Sequence, residues 1–200
     1  MNVFPKKFRI TVILAAAALF ILAPRATAAS PLQEIERLAP PRMAVCFFDG
    51  DSVADIVVNA RGKLTFTYVD GKLAQALSRQ RKAEYNGGER SGIPSQIFAY
   101  ATKSKRKHAL FIARVQALKG WTFDSSMLSV GGYTPVKGDI ITGVSENPSL
   151  ELRFGERDLA KGYNGFIGFF VPIENAKPGE TIKLGYATDF IEWQVPDKNQ

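Results

Sequence analysis

Two aspartates one residue apart, Asp49 and Asp51, follow directly on the apolar run Val45–Phe48. Carboxylates at that spacing can share a divalent cation. With Asp55 they would supply three ligands of a calcium loop, but no glutamate closes the set, and Val53 and Ala54 stand where a ligand or a solvent-facing group belongs. Zinc is excluded more firmly, because one histidine and one cysteine cannot assemble its usual nitrogen and sulfur ligands. The single histidine, His108, also bounds nucleophilic catalysis: any Ser-His or Cys-His pairing would have to use it, and the nearby Ser104 sits in a charged run. His108 reads as a solvent-exposed turn residue.

The stretch Val45–Val53, "VCFFDGDSV", resembles the nucleophile loop of haloacid-dehalogenase-like phosphotransferases. That resemblance implies Asp49 as nucleophile, Asp51 as acid and base, and Mg²⁺ between them. Such chemistry also needs a downstream lysine, a phosphoryl-holding hydroxyl and further carboxylates, and the later "VKGDIITG" offers Asp139 without a second acid nearby. The parallel sheet that carries such a loop is missing too. Asp and Gly are equally what a tight turn between two strands requires, so "DGDS" is expected to be a hairpin turn. A metal-dependent phosphoester hydrolase or phosphotransferase using Asp49 and Asp51 is the competing reading.

The densest charge is "KSKRKH", Lys103–His108. It lacks the interleaved aromatics that stack on bases, so nucleic acid is not the expected partner. Between "SQIFAYAT" and "ALFIARV" it reads as a solvated hairpin tip. Lys103, Lys105, Arg106 and Lys107 are the candidate patch for an anionic envelope ligand such as a lipid headgroup or acidic glycan, joined by Arg79, Arg81 and Lys82 if the fold gathers them. Cys46, flanked by Val45, Phe47 and Phe48, reads as a buried small hydrophobe. Of the aromatics, Trp121 after Gly120 is the one expected to be exposed. Phe47 and Phe48, like Phe169 and Phe170, point to opposite faces of a strand and call for a sheet covered on both sides.

The elements that must position these residues are mostly strands. Leu32, Ile35 and Leu38 recur at helical spacing before Pro40 and Pro41, a short N-terminal helix. From Met43 the chain alternates β-branched and aromatic runs with Asp-Gly and Arg-Gly breaks, and in "LTFTYV" Leu64, Phe66 and Tyr68 share one face. Residues 72–85 fit a helix or a strand followed by irregular chain, with the balance towards strand. "NGGERSGIP", residues 86–94, is the clearest loop or sub-boundary. Strands are expected in "SQIFAYATK", "HALFIARVQAL", "WTFDSSMLSV", "GDIITGV", "SLELRF", "FIGFFVPI", "TIKLGY" and "DFIEWQVP".

The N-terminus bounds location. Lys6, Lys7 and Arg9 precede the apolar Ile10–Leu22, and Ala26-Thr27-Ala28 supplies small residues for cleavage. Residues 1–28 read as a secretory signal peptide, with cleavage after Ala28 or Ala29 and no transmembrane segment left afterwards. Of 26 basic residues four fall in it, so the remainder carries 22 against 19 acidic ones, a surplus too small to imply nucleic acid. Residues 29–200 suffice for one domain.

The C-terminal stretch "FIGFFVPIENAKPGETIKLGYATDFIEWQVP" resembles the last strands of small immunoglobulin-like, including telokin-like, β-sandwich domains of bacterial secreted proteins and lipoproteins. The shared features are "FVP", the "KPGE" turn and "IEWQVP". The resemblance implies a fold and an envelope location and brings no catalytic residues. The chain is therefore expected to be mainly β, an antiparallel immunoglobulin-like β-sandwich with a short N-terminal helix. Its expected role is an exported, periplasmic or extracellular, non-enzymatic interaction or ligand-binding module. No cofactor or metal is expected, and the partner is an unknown protein or an anionic envelope ligand.

Overall fold

The computed structural model describes residues 29–53, 56–101 and 107–197. They begin with helix α1 (Pro31–Leu38), whose start is specified locally. Ser30 Oγ accepts from the Gln33 amide, the Gln33 side chain accepts from the Ser30 amide, and Pro31 stands in the first turn, where no amide is needed. Ile35 and Leu38 are the face it buries. The predicted signal segment lies outside the described residues.

Strands β1 (Met43–Phe48), β2 (Asp51–Val53), β3 (Ile56–Val58) and β4 (Gly62–Tyr68) come next. Helix α2 (Gly71–Tyr85), the single-turn helix α3 (Phe98–Ala101) and β5 (His108–Ala117) follow. The second half adds β6 (Trp121–Asp124), β7 (Leu128–Val130), β8 (Ile140–Ile141), β9 (Glu156–Leu159), β10 (Asn164–Pro172), β11 (Thr181–Tyr186) and β12 (Asp189–Gln194). The fold is thus mixed, with antiparallel sheets and a substantial helical part, where the strand-and-turn grammar predicts a mainly β chain.

Five strands form the main sheet in the order β1-β4-β5-β10-β8, and β12-β11-β7 form a second. Every pairing in both is antiparallel. Side chains of a strand alternate between faces, so each strand of the main sheet serves two cores. On one face Leu64, Phe66, Phe111 and Phe169 pack with Leu128, Leu184 and Tyr186 of the second sheet. On the other, Val69, Leu110 and Ile112 pack with Ile35 and Leu38 of α1 and Leu73 and Leu77 of α2. Phe169 and Phe170 do face opposite ways, one into each cluster.

Residues 71–85 are helical, against the balance of the sequence reading, for two reasons. Asp70 caps the start by accepting the Leu73 amide at 2.9 Å. Leu73, Ala76, Leu77 and Gln80 recur at helical spacing on the buried face, so the stripe is completed by a glutamine whose burial the sequence does not announce. Residues 95–101, expected as a strand, are a 3-10 turn running into α3, and the 3-10 turn Pro148–Leu150 takes in the first two residues of "SLELRF". Among the described residues no helix is long and apolar enough to cross a membrane.

Candidate functional site

The aspartate pair sits in a two-stranded ribbon, but not at its turn. β1 pairs with β4 up to Phe48 opposite Gly62, and β2 resumes with β3 from Asp51 opposite Val58. Between these ladders Asp49 and Gly50 oppose Asn59, Ala60 and Arg61, a bulge with positive φ at Asp49 (50°) and Asn59 (58°). The expected hairpin turn at "DGDS" is therefore a kink. Gly50 is required there, because a Cβ would lie 2.6 Å from the Val57 side chain. Asp49 accepts from Arg61 Nε at 2.7 Å, and Asp51 accepts from the Asn59 amide group at 3.2 Å. Asp139, the other acid considered for catalysis, accepts the Tyr133 hydroxyl and the Val136 amide and so braces its own turn. Asp55 lies outside the described residues, among which no three His, Cys, Asp or Glu side chains are grouped to hold a metal ion.

Of the basic run, Lys103, Lys105 and Arg106 lie outside the described residues, and Lys107 and His108 are exposed at the start of β5. The segment before the run is helical, so a hairpin tip between two strands is not what carries it. Arg79 pairs with Glu34 at 2.7 Å and Arg81 with Glu146, so both charges are already met. Trp121 is buried rather than exposed: it packs against Phe48, Phe123 and Tyr186 with ring centroids 4.8–5.7 Å apart. Gly62, opposite it on β4, leaves the room its ring needs.

A cleft of about 500 Å³ opens instead on the helix-side face of the main sheet, where the helical layer stops short of covering the strands. Strand register orders its floor. One row across the sheet is Met43, Thr67 and Ile112; the next is Val45, Thr65, Arg114 and Phe166; the outermost contains Lys63 and Gln116. α1 forms one wall with Leu32, Ile35 and Glu36, and the segment Glu89–Pro94 forms the other. Thr67 and Ile112 are buried at one end of this floor, and Val45, Arg114, Lys63 and Gln116 are more open towards the other.

The loop wall is tied down by α2. Glu84 accepts from the Ser91 amide at 3.1 Å and the Ser95 hydroxyl at 2.6 Å, and the buried Gln80 side chain donates to the Glu89 carbonyl. Arg90 pairs with Glu146 at 3.0 Å. The segment that reads as a mere boundary is thereby a fixed wall. Gln80, Glu84 and Arg114 escape sequence reasoning: Gln80 and Glu84 stand four apart on α2 and bond each other, but their partners in the wall are 7 to 11 positions on, and that of Arg114 is 50 away.

On the cleft floor Arg114 lies 5.7 Å over the Phe166 ring and donates through Nε to Asn164 Oδ1 at 2.8 Å. Lys63 stands 6.0 Å over Phe47. Neither joins an ion pair among the described residues, whereas Arg42, Arg61, Arg79, Arg81 and Arg90 all do. No histidine, cysteine or aspartate lines the cleft among the described residues, so it holds none of the usual bases to activate the Thr65, Thr67 or Ser91 hydroxyls other than Glu36 and Glu89 on its walls.

A second hollow of about 680 Å³ lies at the start of α2, with Asp70, His108 and Asp197 on its wall. No serine, threonine or cysteine lines it among the described residues. Comparison with protein-family models, with curated proteins and with solved structures finds no match.

Proposed function

We propose that this chain is an exported, non-enzymatic ligand-binding module of the bacterial cell envelope, working through the cleft between α1, residues 89–94 and the main sheet. The observation that carries it is the cleft beside the helical layer, walled on two sides, where Val45 stands exposed and Lys63, Arg114 and Phe166 are partly exposed while Ile112 and Thr65 lie buried at its base. A cavity of that size, in which Leu32, Ile35, Ile93, Ile112 and Phe166 supply apolar surface beside several polar and charged side chains, is in the range of small-molecule sites. Export is supported by the basic, apolar and small-residue order of residues 1–28. Two antiparallel sheets sharing one core support reading the β part as a β-sandwich of immunoglobulin-like kind, to which the helical layer adds the cleft.

A neutral apolar fluorophore, N-phenyl-1-naphthylamine, tests the site. It should bind the full chain with a saturable rise in emission. Val45→Trp should abolish that rise, because Val45 stands half-exposed on the floor and the larger side chain fills the opening. Absent binding, or binding indifferent to Val45→Trp, would sink the proposal.

A further inference from the structure

We infer that the cleft takes a single-chain amphiphile with one anionic headgroup, the chain lying under α1 and the headgroup at Arg114 and Lys63. This rests on the cleft being a ligand site and adds the polarity of its ligand. Both charges on the sheet floor are positive, and they occupy adjacent positions of the register: Arg114 is opposite Thr65 on β4, and Lys63 lies two residues along from Thr65. The carboxylates of the cleft, Glu36 and Glu89, belong to its walls. Apolar and cationic ends are therefore separated along the strands, Met43 and Ile112 at one end and Lys63 at the other.

Arg114 is held for such a contact. Asn164 engages Nε and the Phe166 ring lies beside the guanidinium, and neither terminal nitrogen joins an ion pair among the described residues. A guanidinium so placed presents parallel N–H donors that match a carboxylate or phosphate. A neutral or cationic headgroup would leave that fork unmet.

Calorimetric titration of the full chain with decanoate, decyl phosphate and decanol, each below its micelle threshold, separates the contributions. One or both anions should bind about tenfold or more tightly than decanol, the factor one charge-assisted hydrogen-bonded pair supplies. Their order then identifies the headgroup. Arg114→Gln with Lys63→Gln should erase the preference and leave decanol binding in place, while Arg114→Lys should recover part of it. Rising salt should weaken the anions in the unsubstituted chain and spare decanol, a readout free of any folding defect in the variants. Equal affinity for decanol and decanoate overturns the inference and leaves the cleft a ligand site. Fluorophore binding with no binding of any of the three amphiphiles also overturns the inference alone. Failure of the fluorophore as well overturns the site itself.

Discussion

Arg42 and Asp70 form a buried bridge between the two helices of the outer layer. The guanidinium, 1% exposed, donates to Asp70 Oδ2 at 2.7 Å and to the Leu38 carbonyl at the end of α1 at 2.8 Å. Asp70 uses its other oxygen to cap α2. One carboxylate thus starts the second helix and neutralises the cation that closes the first. Asp70→Ala should lower the unfolding free energy by about 3 kcal/mol or more, since it strands a buried charge and removes a cap. Asp70→Asn keeps an acceptor for the cap and should cost less. Urea denaturation of both variants measures this: equal losses would assign the whole effect to the ion pair and none to the cap, and an Asp70→Asn chain as stable as the native one would show the ion pair to be immaterial.

Cys46 is 1% exposed, donates to the Asp189 carbonyl at 3.4 Å, and has its thiol pKa pushed up to about 11 by burial, with the Asp189 carboxylate adding to the rise. The folded chain holds this proton more tightly than the unfolded one, whose ordinary value is 9.0. Its contribution to stability is therefore full below pH 9.0 and is lost as pH rises towards about 11. Thermal melts from neutral to alkaline pH should fall more steeply for the native sequence than for Cys46→Ala. Tyr186, raised to about 12 by burial, keeps some alkaline loss in both. A thiol reagent should label Cys46 only after unfolding at neutral pH, and rapid labelling of the folded chain would contradict its burial.

Asp49→Asn should change stability by no more than about 0.5 kcal/mol, because the ion pair with Arg61 is roughly half exposed on both sides. Asparagine also tolerates the positive φ of this kink, whereas Asp49→Val should cost about 1–2 kcal/mol for the same backbone reason. Fluorophore binding in the cleft should be unchanged by Asp49→Asn. Metal-dependent turnover of a generic phosphoester that this substitution abolishes would move the working site to the ribbon.

Much of the fold is legible locally. Ser30, Gln33 and the Pro40-Pro41 stop mark α1 with nothing but neighbours, and the alternation of Leu64, Phe66 and Tyr68 reappears as one face of β4 in the core. Helix α2 is not so marked: Ala and Leu at helical spacing compete with a run of Arg, Lys and Gln, and what decides is the Asp70 cap together with the sheet face waiting for Leu73 and Leu77. Trp121 misleads because a glycine before it looks like a turn, while Gly62, 59 positions back, makes the space that buries it.

By itself the sequence determined the short-range choices: where α1 begins and ends, which strands alternate, that Cys46 sits among apolar neighbours, and that one histidine and one cysteine bound the chemistry. These follow from backbone sterics and side-chain type within a few residues. Tertiary structure decided the rest. Only strand pairing sets Thr65 beside Arg114 and Arg114 beside Phe166, and only the packing of α1 and residues 89–94 on the sheet leaves a cleft over that part of it. Register and layer overlap are long-range packing outcomes, so the cleft exists in no local stretch of the chain.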